Sequence, residues 1–309
     1  MQNKTSKFYF FSINISLAKL VLSGIIVFIF WPLFVSAQTT YSGKILSKAT
    51  KMGVPYATVG FIKLNTGTNA NDSGYFQLNA AVNSEDTLII SSVGFITAKI
   101  ATRQVLPNVI IELEEKSNVL KEVVLIPLLG KTATLNSYKE CGVNSYFSAG
   151  FVTQIAQLFE APVPNSKLTA IHICKQGDQS TFRIRIYSRN PTTGAPDYDL
   201  IDTAIEVQSS KKFVTVDVSK FNLLLPEANF FIAIEWIKIP QNERKIKSKL
   251  NNKPFDYVGY SPYLFFKNKT NVPDLLAKRA QVWQLTYKGT WIKFFSDEKV
   301  FLISAELKY

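Results

Sequence analysis

The 309-residue chain has a single histidine, His172, and only two cysteines, Cys141 and Cys174. Zinc peptidases hold their metal with at least two histidines and a carboxylate, so one histidine excludes them. Any serine triad would have to be built on His172, and no Gly-x-Ser-x-Gly elbow is present to raise a nucleophile. In "LTAIHICK" His172 alternates with Ile171 and Ile173 and shares its strand face with Ala170 and Cys174. Two ligands on one strand are too few for a metal, and residues two apart make no positioned Cys–His dyad. His172 therefore reads as a strand histidine with a hydrogen-bonding neighbour. The turn at Asn69 to Asp72 lacks the spaced carboxylates of a calcium loop and reads as a plain β-turn. No metal, cofactor or catalytic residue is expected. The even cysteine count permits one disulfide, Cys141–Cys174, in an oxidising compartment, with two buried thiols as the alternative.

Acids are scarce too: 23 against 35 lysines and arginines, a net charge of +12. Lys4, Lys7 and Lys19 belong to a basic start that leads into the acid-free run "LVLSGIIVFIFWPLFVSA". That run ends in the small-residue pattern Val35-Ser36-Ala37, so residues 1–37 read as a signal peptide cleaved before Gln38. The run approaches membrane-spanning length, so an uncleaved anchor is the competing reading; Pro32 and the small residues favour cleavage. No cysteine follows the site, which disfavours a lipoprotein. Removing the three lysines leaves the mature chain at +9. Such an excess suits anionic envelope partners, and an exported protein meets little nucleic acid. The one dense basic run, "NERKIKSKLNNK" at 242–253, reads as a solvated loop.

From Tyr41 onward the pattern is all-β. "ATVGFIKL", "GYFQLNA", "TLIISSVGF", "TAKIAT" and "NVIIELEE" are short β-branched and aromatic runs separated by Asn, Asp, Gly and Ser clusters. "DTLIISSVGF" reads as a core strand through Leu88, Ile89 and Ile90, bent at Gly94, with Phe95 covering the sheet end. Beyond about Thr134 the strands lengthen. "STFRIRIYS" puts Phe182, Ile184 and Ile186 on one face and Arg183, Arg185 and Tyr187 on the other. "NFFIAIEWIKI" aligns Phe230, Ile232, Ile234 and Trp236, and "QVWQLTYKGTWIKFF" reads as a hairpin turning near Lys288-Gly289. "VFLISAELKY" closes the chain with Phe301, Ile303, Ala305, Leu307 and Tyr309 in register.

The segments "YSGKILSKATKMGVPYATVGF", "TGTNANDSGYFQL", "DTLIISSVGF", "VIIELEE" and "LKEVVL", in that order over residues 41 to 125, resemble the carboxypeptidase-regulatory-like domain of Bacteroidetes-type envelope proteins. The motif positions fall on Gly43, Pro55 to Val59, Gly67 to Asn71, Gly74 to Leu78 and Asp86 to Phe95. The resemblance implies a transthyretin-like seven-strand sandwich without an active site, often found ahead of the plug of TonB-dependent receptors. A weaker resemblance, carried by "FRIRIY", "VDVSKFNLLLP" and "FFIAIEWI", is to a second sandwich in tandem with such domains. The expected organisation is thus two β-sandwich domains in tandem: 1–37 signal peptide, 38–127 regulatory-like sandwich, 128–134 linker, 135–309 a second, jelly-roll-like sandwich.

The expected function is a non-catalytic binding or assembly module of the cell envelope, in the periplasm or at the outer membrane, contacting an envelope protein or a glycan. Trp283 and Trp291 flank the predicted hairpin and are the candidate glycan platform, with core packing as their alternative. Glu235 and Trp236 fall on opposite strand faces, so Trp236 reads as core and Glu235 as salt-bridged or exposed. A carboxylate-based hydrolase acting through the second domain is one alternative; an adaptor for a TonB-dependent uptake system is another. A 22-strand transporter barrel needs roughly 220 residues in strands alone, more than follow the first domain. Arg183 and Arg185 on an outward face would also be costly in lipid, so any membrane association is peripheral. Exposed aromatic clusters favour the binding module, two acids converging in a cleft the hydrolase, and a free edge strand in the first domain the adaptor.

Overall fold

A computed structural model describes residues 39–82, 85–116, 130–142, 144–148, 150–250, 253–272, 278–294 and 298–309. The signal-peptide segment, and residues 128 and 129 of the expected linker, lie outside these residues. Strands dominate, and no described helix is long and apolar enough to cross a membrane.

The described residues of the first domain form seven strands: β1 (Thr39–Ser47), β2 (Thr58–Phe61), β3 (Thr66–Asn69), β4 (Tyr75–Ala80), β5 (Thr87–Ser91), β6 (Ala98–Ala101) and β7 (Val109–Leu113). They form two sheets, β4-β1-β7 and β3-β2-β5-β6, with β7 parallel to β1. Alternation sends Ile45, Val59, Phe61, Phe76, Leu78, Leu88, Ile90, Ile111 and Leu113 into the core between them. Each such side chain contributes about 1.5–3 kcal/mol when fully buried. Buried Asp86 explains why an acid opens the β5 motif. Its carboxylate accepts the backbone N–H groups of Lys63, Leu64 and Thr87 at 2.9, 3.0 and 2.6 Å, closing the turn after β2 onto β5. Gly94 has φ +79°, and Phe95 packs on the core edge as the sequence suggests. Ile89, expected in the core, points to the sheet's opposite face, as strict alternation requires.

The second domain runs through β8 (Thr132–Leu135), β9 (Asn144–Ser148), β10 (Val152–Glu160), β11 (Lys167–Cys174), β12 (Ser180–Arg189), β13 (Pro196–Asp199), β14 (Ile205–Ser209) and β15 (Phe213–Asp217). It continues with β16 (Asn229–Trp236), β17 (Glu243–Leu250), β18 (Lys253–Asn268), β19 (Val282–Thr286), β20 (Trp291–Lys293), β21 (Lys299–Phe301) and β22 (Ile303–Lys308). A seven-stranded sheet, β13-β12-β16-β10-β19-β20 with β14 beside β12, packs on the four-stranded sheet β15-β11-β22-β8. Phe182, Ile184, Ile186, Phe230, Ile232, Ile234 and Trp236 from the first meet Ile171, Ile173, Ile303, Ala305 and Leu307 from the second. The hairpin turn falls at Gly289, whose φ is +74°.

Three expectations need correction. Thr132 to Thr134, assigned to the linker, belong to β8 and pair with β22. The basic run at 242–253 is mostly strand, because β17 has a residue-by-residue antiparallel partner in β18. With β9 and β21, that hairpin makes a third sheet beside the expected sandwich. The third correction concerns the arginine face of β12, which is not outward.

Candidate functional site at the domain junction

The face of the seven-stranded sheet that carries Arg183, Arg185 and Glu235 meets the first domain, Arg183 at Pro55 and Tyr56 and Glu235 at Thr58. Arg183 donates to the backbone carbonyls of Pro55 and Tyr56 at 2.5 and 3.2 Å. Arg185 forks onto Asp199 at 2.6–2.9 Å and reaches Glu235 at 3.2 Å. Burial works against the Arg185 charge, but Tyr187, Glu235 and Asp199 outweigh it and its pKa is raised. Glu235 also accepts from the Thr58 hydroxyl at 3.3 Å, so one carboxylate ties β12, β16 and the first domain together. Asn69 donates to the Tyr56 carbonyl at 3.1 Å and the Thr58 hydroxyl at 3.2 Å, and its Oδ1 accepts the Lys238 backbone N–H at 2.8 Å.

A ring-on-glycine fit completes the junction. Gly60 and Gly67 are cross-strand partners, and the Cδ1–Cε1 edge of the Tyr287 ring lies against both; a β-carbon on either would overlap it. Behind that ring, the Lys238 ammonium sits 4.5 Å from the Tyr287 centroid and 5.7 Å from that of Tyr260, donating to the Gly150 carbonyl. Burial pulls the Lys238 pKa down from 10.5 to about 7.

At the rim the junction opens into a groove. A cavity of about 270 Å³ lies between the domains, its walls including Thr68, Asn69, Lys238, Glu243 and Tyr260. A second concavity of about 560 Å³ crosses the outer face of the β4-β1-β7 sheet, past Ser42, Lys44, Asn108 and Ile110. Asn71, Tyr75 and Gln77 line both, so Tyr75, 55% exposed, stands between them. The Asn71 turn shapes this ridge: its Oδ1 accepts the backbone N–H groups of Ser73 and Tyr75 at 3.0 and 2.9 Å, and Gly74 takes φ +83°. The lining mixes amides and hydroxyls with Lys44, Lys238, Glu243 and apolar side chains, and the Lys44 ammonium lies 4.7 Å from the centroid of the Tyr75 ring, an arrangement that suits a polar ligand with an apolar face.

The residues singled out in the sequence fall elsewhere. Trp283 and Trp291 do share a face, but Trp283 is buried among Ala156, Tyr187, Phe231 and Ala233, and Trp291 meets Tyr187 edge-on at 5.5 Å. Cys141 and Cys174 are joined as a disulfide with Cα atoms 5.6 Å apart. His172 bonds Thr215 Oγ1 and Glu306 Oε1, each at 2.9 Å, across three neighbouring strands. This hydroxyl–imidazole–carboxylate row crosses β15, β11 and β22 on one sheet face. Glu235, left as salt-bridged or exposed, is salt-bridged and buried. Among the described residues no group of three or more His, Cys, Asp or Glu side chains could hold a metal.

Residues 41–125 match the family model of the CarboxypepD_reg-like domain. The described residues of this stretch form a carboxypeptidase-regulatory-like sandwich. No curated protein matches the chain. Among solved structures, the chain is similar to the cysteine protease and lectin-like domains of Cwp84, a surface layer associated protein of Clostridium difficile. Identity there is 10%, with 79% of this chain and 46% of that one covered at a TM-score of 0.38. This chain thus spans less than half of that structure. Clostridial Cwp84 after propeptide cleavage matches at 10% identity over 88% of this chain and 71% of that one, TM-score 0.37. BcpA, the major pilin subunit of Bacillus cereus, matches at 10% identity over 86% and 69%, TM-score 0.19.

Proposed function

We propose that the protein is an exported, non-catalytic saccharide-binding module of the cell envelope, its ligand seated in the junction groove. The observation that carries this reading is Tyr75, an exposed ring standing between two concavities whose linings include Asn71, Gln77 and Asn108. A pyranose stacks its C–H face on such a ring while amides bond its hydroxyls. The regulatory-like first domain, a module without catalytic residues in its family, agrees with a binding role. Asp199 and Glu235, the acids that do converge, are buried on Arg185 rather than facing a cleft, which disfavours the hydrolase. The basic, apolar leader and the disulfide both support export.

Affinity electrophoresis through gels containing a panel of neutral polysaccharides tests the reading. At least one should retard the protein, Tyr75→Ala should abolish the retardation, and Trp291→Ala should leave it. Migration unaffected by every polysaccharide, or retardation indifferent to Tyr75→Ala, contradicts it. The adaptor remains a second reading because, among the described residues, β7 bonds only β1 in its sheet. Stoichiometric co-purification of an outer-membrane receptor with the tagged protein supports that one instead.

A further inference from the structure

The hairpin of β17 and β18 has two chemically different faces. In an antiparallel pair, residues directly opposite each other share a face. Ile246 lies opposite Tyr257 and Ser248 opposite Phe255 on one side; Lys245 lies opposite Val258 and Lys247 opposite Asp256 on the other. On the first side four rings run in a continuous row. Phe255 to Tyr257 is 5.6 Å between centroids, Tyr257 to Phe147 6.1 Å, and Phe147 to Tyr263 4.6 Å. Gly259 leaves room for this row, since a β-carbon there would strike Phe147 and Ile246. Phe255 is 42% exposed, and Tyr257, Phe147 and Tyr263 are only partly buried. The segment 243–256 carries five basic residues against two acidic ones.

We infer that this hairpin is a docking arm for the surface of an anionic phospholipid bilayer. The rings form an apolar strip with tyrosine hydroxyls at its margin, the composition that settles at the boundary between headgroup and acyl chain. The lysine stems are long enough to bring their ammonium groups to the phosphate layer from the ribbon's far side. The excess of cations complements a negative surface and not a neutral one. A saccharide fits this face less well, because Ile246, Ser248 and Gly259 beside the rings supply none of the amides that wall the groove. The inference is independent of the saccharide reading, which concerns other residues.

Co-sedimentation of the exported chain with phosphatidylglycerol–phosphatidylcholine vesicles, and with phosphatidylcholine alone, tests it. The protein should sediment with the anionic vesicles, remain in solution with the neutral ones, and be released by high salt. Phe255→Ser and the double variant Lys245→Glu, Lys247→Glu should each weaken binding at least about tenfold. Both alter exposed side chains, and unchanged circular dichroism and Tyr75-dependent polysaccharide retardation would show that the fold and the groove survive. Failure to bind anionic vesicles, binding indifferent to these substitutions, or capture by an acidic polysaccharide through the same residues would overturn the inference.

Discussion

The cores inside the two sandwiches and the junction between them are built on different principles. The cores are filled by Ile, Val, Leu and Phe from alternating strand positions, and one such side chain can replace another of similar volume at modest cost. The junction rests on individual fits: the Tyr287 ring on the Gly60–Gly67 pair, the Arg185 fork between Asp199 and Glu235, and Asn69 bonded to the Lys238 backbone. No substitute for those residues keeps both shape and charge. The difference teaches that each sandwich is specified by pattern, whereas their union is specified by a few positions. The smaller cavity at the rim, between Asn69 and Lys238, exists only because of that union.

The largest expected effect comes from unpairing the junction's charges. Glu235→Ala leaves Arg185 with one partner instead of two, beside buried Arg183, and should cost about 3–5 kcal/mol in urea unfolding. A cost under about 1 kcal/mol would mean that the junction opens to water. Lys238 supplies a pH test of the same region. The folded protein favours its neutral amine above about pH 7, whereas the unfolded chain keeps the proton up to the ordinary value of 10.5. Stability should therefore climb as pH rises above about 7, by on the order of 3 kcal/mol up to pH ~9.5, and be flat with respect to this group below. Lys238→Met should remove that climb, which denaturant titrations at stepped pH would reveal.

Smaller changes sharpen the comparison. Gly60→Val puts a branched side chain under the Tyr287 ring and should cost about 1–3 kcal/mol. Pairing it with Tyr287→Ala should recover part of that loss, since the collision is then gone. A volume-conserving exchange in the core, such as Ile232→Leu, should cost less than about 1.5 kcal/mol and leave polysaccharide binding intact. Gly60→Val should weaken that binding even where the protein remains folded.

What the sequence disclosed divides along the same line. Alternation in "STFRIRIYS" and "NFFIAIEWIKI" correctly separated the core face from its opposite, and the ordered motifs from Gly43 to Phe95 identified the first sandwich. Alternation says nothing about what covers a second face, so Arg183 and Arg185 read as outward and Ile89 as core. The glycines of "ATVGFIKL" and "NTGTNA" were visible, yet only the β2–β3 register shows that they adjoin and form a bed for a ring from more than 200 residues away. Tyr75 was read only as part of the strand "GYFQLNA", because the second wall of its groove comes from the other domain. For the hairpin a signal was present. "FDYVGYSPY" places Phe255, Tyr257 and Tyr263 on alternate positions, and the charge of the preceding run drew the reading towards a loop instead.

The most direct test of a single welded unit is differential scanning calorimetry of residues 38–309. The structure predicts one cooperative transition whose calorimetric and van't Hoff enthalpies agree. Two resolved transitions, one for each sandwich, would contradict it and show that the first domain is merely tethered.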